Sequence, residues 1–176
     1  MKKLLAVFGI TLLTGLSSNA GILLDPYFSY KMSGSASFSP GSSMAGNELG
    51  VRVGYSVLGF AVGVDTTLNG KYTYSNAGVT SDSTPKNIGI FASYDFPILV
   101  RGYFAYLVNA KESFTGAEYT GTGTKIGVQF TGLPFLAIGL ETVSLSYKDL
   151  SAAGVTTSVS ETGTHTNLAL SMPFSL

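Results

Sequence analysis

Large apolar side chains and charges sort onto opposite parities along this chain. Between residues 46 and 58, Asn47, Leu49, Val51, Val53, Tyr55 and Val57 share one parity, and Glu48, Gly50, Arg52, Gly54 and Ser56 share the other. A period of two places successive side chains on opposite faces of a strand. Eight such segments can be drawn. Their charged residues are Asp25, Lys31, Glu48, Arg52, Asp65, Lys71, Asp95, Arg101, Lys125 and Glu141, each on the parity opposite the apolar one. A soluble sheet buries its apolar face, but here that face is the bulkier and the charged face is thinned by Gly50, Gly54, Gly63, Gly89, Gly127 and Gly139. The pattern predicts lipid outside and a narrow polar interior.

The connections between segments alternate in length. Short turns are expected near Leu58-Gly59, at Pro97 and over Thr131-Gly132-Leu133-Pro134; long loops are expected over 34–45, 73–85, 111–121 and 148–162. The predicted fold is therefore all-β: an eight-stranded antiparallel up-and-down transmembrane β-barrel with short periplasmic turns and long extracellular loops. Eight strands close around an interior just wide enough for side chains to fill. Tyr27, Leu99 and Leu107 fall on the inward parity as exceptions, while Tyr72 is assigned outward. In the seventh strand Leu136, Ile138 and Leu140 are followed by Val143, Leu145 and Tyr147, a one-residue slip that predicts a β-bulge near Thr142. The eighth alternates Leu168, Leu170, Met172, Phe174 and Leu176 against His165, Asn167, Ala169 and Ser171.

Lys2 and Lys3, the apolar run Leu4 to Leu13 and the small residues Ser18-Asn19-Ala20 read as a secretory signal over 1–20, leaving 21–176 as the barrel. After Ala20 no apolar run approaches the roughly 20 residues of a spanning helix. Positive mean hydropathy, +0.33, then calls for strands that cross lipid. Cysteine is absent, which excludes disulfides and thiolate metal sites, and the zero formal net charge gives nothing that steers toward nucleic acid.

In strand number, loop asymmetry and the terminal strand Leu168 to Leu176, the chain resembles the small eight-stranded outer-membrane barrels, such as the transmembrane domain of outer-membrane protein A and its short relatives. The resemblance covers all of 21–176. It implies residence in a Gram-negative outer membrane, contact with its lipid, and recognition of the last strand by the barrel-assembly machinery. That strand usually ends on an aromatic residue; here Phe174 lies two residues short and Leu176 ends the chain.

Five inward cations, Lys31, Arg52, Lys71, Arg101 and Lys125, face five inward carboxylates, Asp25, Glu48, Asp65, Asp95 and Glu141. Unpaired buried ions cost several kcal/mol each, so pairing is expected. Hairpin registers predict contacts from Arg52 to Asp65 and from Lys125 to Glu141, with Arg101 joining Asp95 or the central cluster. Arg52, Asp65, Arg101, Lys125, Glu141 and Glu48 form the candidate interior charge network. It acts either as a filling that fixes the barrel or as a gate for ions and small solutes. Aromatic belts are expected at both membrane faces, the lower from Tyr55, Phe60, Tyr94, Phe96, Phe130, Phe135 and Phe174, the upper from Tyr30, Tyr72, Tyr74, Tyr106, Tyr119 and Tyr147.

Candidate chemistry is sparse. His165 is the sole histidine and has no adjacent serine and carboxylate to make a triad. No metal-ligand spacing or phosphate loop occurs, so neither enzyme nor cofactor is expected. The Ser-, Thr-, Gly- and Ala-rich loops are the candidate surface for an extracellular partner. The match of Ala77-Gly78-Val79-Thr80 with Ala153-Gly154-Val155-Thr156 is read as compositional. The expectation is a monomeric, non-enzymatic barrel with a structural or surface-interaction role. Its rivals are a narrow channel and a soluble lipocalin-type barrel, which would turn the apolar parity inward.

Overall fold

The computed structural model describes residues 20–176, so the expected signal segment lies outside the described residues except for Ala20. Eight long strands follow one another: β1 (Gly21–Ala36), β2 (Ser43–Val57), β3 (Phe60–Asn76), β4 (Val79–Phe96), β5 (Val100–Phe114), β6 (Ala117–Leu133), β7 (Leu136–Ala152) and β8 (Val155–Ser171). Each pairs antiparallel with its chain neighbours, and β1 pairs with both β2 and β8, which closes the ring. Closure leaves no unpaired edge, the condition for a sheet to stand in hydrocarbon. The terminal strand is not one ladder as its alternation suggested. Pro173 has no N–H to donate, so pairing breaks there and resumes as the two-residue β9 (Phe174–Ser175) against Leu24 and Leu23. Leu176 N donates to the Ile22 carbonyl at 2.9 Å and its carbonyl accepts from Ile22 N at 3.0 Å, sealing the seam.

The apolar parity faces outward, which disposes of the lipocalin rival. Ile22, Leu24 and Phe28 on β1, Val62 and Val64 on β3, Ile88 and Ile90 on β4, Ile126 and Val128 on β6 and Leu140 on β7 are exposed, as are Tyr55, Phe60, Phe96, Phe130 and Phe135 of the lower belt. A tilted strand crosses hydrocarbon in about 10 residues. These strands have 15 to 18, so the ladder continues beyond the lipid.

The extracellular connections take the form of paired strand almost to their tips. Only 37–42, between β1 and β2, is irregular; the other three are the two-residue turns 77–78, 115–116 and 153–154. Regions expected as loops are rich in Thr, Val and Ser, which suit a pleated surface once a turn sets the register. Ala77 and Gly78 have φ of 47° and 84°, and Ala153 and Gly154 have 50° and 81°, the all-positive pair of a type I′ hairpin. The repeated Ala-Gly-Val-Thr is therefore a shared turn rather than a compositional accident.

Parity also shifts where the ladder leaves the lipid. One-residue irregularities fall between Lys31 and Ser33 on β1, beside Leu68 on β3 and between Leu107 and Ala110 on β5. On β3 the slip turns Lys71 outward and Tyr72 and Tyr74 inward, reversing the assignments of Lys71 and Tyr72. On β7 no slip occurs at Thr142: pairing to β6 and β8 runs straight through it. Val143, Leu145 and Tyr147 are buried inside, while Thr142, Ser144 and Ser146 face out. What changes there is the chemistry of the two faces. With Tyr72, Tyr74 and Tyr147 inside, the expected upper belt keeps only Tyr30 and Tyr106 as exposed rings.

Candidate functional site: a lumen filled in three storeys

Strand alternation delivers every inward residue to one axis, and eight strands leave that axis no wider than the side chains themselves. At the periplasmic end Leu23, Ala61, Phe91 and Ala105 pack together. Below them a cleft of about 110 Å³ is lined by Ser56, Asp95, Arg101 and Ser175 among others. Arg101 grips Asp95 through two hydrogen bonds, Nε to Oδ1 at 2.6 Å and Nη2 to Oδ2 at 2.9 Å, and reaches Asp25 at 3.7 Å. Both destinations expected for Arg101 are thus occupied at once.

The middle storey centres on Arg52. Its guanidinium lies 3.1 Å from Asp25, 3.5 Å from Asp65 and 3.6 Å from Glu141. Above and below it are aromatic faces, with the guanidinium carbon 4.4 Å from the Tyr27 ring centre and 4.2 Å from that of Tyr103. Desolvated cation–π contacts contribute about 2 kcal/mol each. Lys125 completes the cluster, 3.1 Å from Glu48 and 3.5 Å from Asp65. All six sequence-predicted residues therefore join one network, together with Asp25 and Asp95.

Two expectations fail in its detail. Lys125 does not meet Glu141, because the β6–β7 turn sits at Pro134-Phe135 and the register places Val143 opposite Lys125 and Gly127 opposite Glu141. Nor do the charges balance five against five. Lys71 is outside, paired with Asp82 at 2.8 Å, and Lys31 sits higher, against Met44 and over the Tyr72 ring. Three cations are left to serve five carboxylates. Tyrosine makes up the deficit: Tyr27 donates to Asp65 at 2.8 Å, Tyr72 to Glu48 at 2.7 Å, and Tyr103 to Glu141, which also accepts from Ser29 and Asn167. Charge-assisted hydrogen bonds are roughly twice as strong as neutral ones. Two of the inward glycines make room for the same rings. A Cβ on Gly50 would stand 2.3 Å from the Tyr27 ring and one on Gly127 2.2 Å from the Tyr103 ring.

The top storey is aromatic. Phe38, carried on the irregular 37–42 segment, has its ring centre 4.6 Å from Tyr119, 5.5 Å from Tyr74, 5.7 Å from Phe114 and 5.8 Å from Tyr147. Leu107, Val143 and Leu145 pack beneath it. Glu112, assigned to a loop on sequence, is buried here. It accepts from Ser83 at 2.6 Å, from Tyr147 at 2.5 Å and from Tyr74. Its signal was the alternation of Ala110, Glu112 and Phe114 with Lys111 and Ser113, legible once the segment is treated as strand. His165 packs edge-on to Tyr72, ring centres 5.5 Å apart, and its ring nitrogens have no hydrogen-bond partner among the described residues.

An apolar exterior around a polar, packed axis is the arrangement of a membrane barrel. The fold is that of the small eight-stranded outer-membrane β-barrels. Among solved structures the chain is similar to Neisserial surface protein A, with a TM-score of 0.55 and 18% identity over 89% of this chain and 99% of that one. It is also similar to the N-terminal β-barrel domain of Pseudomonas aeruginosa OprF, with a TM-score of 0.50 and 11% identity over 89% of this chain and all of that one. At such identities the likeness is one of fold. No protein-family model and no curated protein matches the sequence. The lipid-facing girdle on this outer-membrane fold assigns the chain to the outer membrane.

Proposed function

We propose that this outer-membrane barrel is closed and non-enzymatic, with a structural or surface-interaction role exercised through the hairpins that rise above the lipid. The observation that carries the proposal is Arg52, 2% exposed, held among three carboxylates and two tyrosine rings at the centre of the lumen. An ion passing along the axis would have to displace that side chain, taking from Glu141 its one cation partner among the described residues and from Asp25 and Asp65 one of two each, at about 3–5 kcal/mol. The aromatic plug above adds a second obstruction. Contact with outer-membrane lipid, handling by the assembly machinery through the Leu168–Leu176 end, and a monomeric state accompany this reading. An extracellular partner would meet the hairpin tips, which are mostly neutral Ser, Thr, Gly and Ala.

The second reading is a narrow cation-preferring channel gated by Arg52, Asp65, Arg101, Lys125, Glu141 and Glu48. Two observations favour it: the carboxylate excess, and the side-chain amide of Gln129, without a hydrogen-bond partner among the described residues. Planar-bilayer recordings separate the two. The closed barrel predicts no unitary conductance from the wild type; discrete cation-selective steps from it, enlarged by Arg52→Ala, would establish the channel.

A further inference from the structure

Outside the barrel, charge is unevenly spread just above the lipid-facing residues. On β6, β7 and β8 the outward positions there are hydroxyls, with Thr122 opposite Ser146, Thr124 opposite Ser144, and Ser144 in turn opposite Thr164. On β4 and β5 the corresponding positions are basic. Lys86 is the first outward residue above Ile88, and Lys111, half-buried, the first outward charge above Val108. The two lysines are direct cross-strand partners. Like charges placed directly opposite destabilise a ladder, so the pair calls for an anion. Lys111 has one, Glu118 Oε1 at 2.7 Å. Glu118 also accepts from Ser113, and the bond from Lys111 holds its carboxyl below the usual range. Lys86 has no carboxylate within ion-pair distance among the described residues.

We propose that Lys86 and Lys111 form an exterior site for the phosphate of an outer-leaflet glycolipid. Three facts select this occupant: the positions lie at the upper rim of the apolar girdle, the site carries one uncompensated positive charge, and both ammonium groups lie on the face turned away from the lumen. A phosphate bearing two charges serves both lysines, where the single carboxylate of Glu118 serves one. The lipid's chains would then lie along Ile88, Ile90, Tyr106 and Val108.

The inference rests on the membrane assignment, and its test keeps the two apart. Barrel in nonionic detergent is titrated with bisphosphorylated lipid A, or with the same glycolipid stripped of phosphate, and bound lipid is counted by native mass spectrometry. The phosphorylated form should bind about tenfold tighter or more. The double variant Lys86→Gln, Lys111→Gln should abolish that preference, and Glu118→Gln, which removes the competing carboxylate, should strengthen it. Equal binding of both lipids, an unchanged preference in the double variant, or an equal loss in the remote Lys148→Gln would overturn the site. Heat-modifiable mobility verifies that each variant is folded. Release of the wild type by carbonate would instead defeat the membrane assignment itself.

Discussion

The lipid-embedded ring and the ring above it are made by the same eight strands, yet their faces are exchanged. Low on β7, Ile138 and Leu140 face lipid and Glu141 faces the axis; a few residues higher, Ser144 and Ser146 face water and Val143, Leu145 and Tyr147 fill the axis. The lower ring is held by ions that lipid cannot solvate, the upper by rings and aliphatics that water expels. Hydrogen bonding along the ladder continues through both, so the surroundings of each face choose its residues and the backbone does not. The protruding portion is in effect a small soluble barrel stacked on a membrane barrel.

The comparison breaks most visibly at the centre of the lower ring. Arg52→Ala leaves three carboxylates facing one another and should cost about 3–5 kcal/mol, measured by urea unfolding from lipid vesicles; a loss below about 1 kcal/mol, the worth of a surface pair, would show that the ions do not hold it. Next comes the outer face. Leu140→Arg places a charge in hydrocarbon and should cost about 2–4 kcal/mol, while Ser144→Arg, four residues along the same face of the same strand, should cost less than about 1 kcal/mol. Equal penalties would move the membrane boundary above Ser144.

The upper ring is sharpened by Phe38→Ala. Its ring is only partly buried, so the loss should be roughly 2 kcal/mol, below the ~3–5 of a fully buried phenylalanine. Amide exchange should quicken at the β1–β2 and β5–β6 hairpins and not at Arg52. The smallest effect is one of pH. Glu118 has its pKa depressed, chiefly by Lys111, so its contribution is present above the ordinary carboxylate range and is lost as pH falls through the lowered value. Acidification should loosen the β5–β6 hairpin tip in hydrogen exchange and leave the β7–β8 tip unaffected.

Within the lipid the alternation is legible except at Leu99, expected inward and found exposed in the β4–β5 turn, because one face must be apolar and any break in period would put a charge into hydrocarbon. Asp25, Glu48, Arg52, Asp65, Arg101, Lys125 and Glu141 were all assigned inward on that ground, and the structure places them there. Above the lipid the same inference misled. Val143, Leu145 and Tyr147 look like a slipped lipid face when apolar is equated with outward; Lys71 and Tyr72 are reversed by the opposite case, a real slip beside Leu68 that leaves no break in the pattern, and Glu112 is hidden because its segment reads as loop. A bulge and an exchange of faces leave the same trace in a list of residues.

Taken alone, the sequence determined the strand number, the first two lower turns, the closed ring and the inward charges of the lipid-embedded ring, because these follow from local period and from the solvent each face must meet. Tertiary structure decided which charges touch, because a shift in the β6–β7 turn moved Glu141 from Lys125 to Arg52. It also decided that tyrosine hydroxyls offset the surplus of carboxylates, since donors and acceptors far apart in the chain meet only after closure. Where the barrel stops being a membrane protein was settled there as well, for only the closed ring has an inside to be filled with aromatic rings.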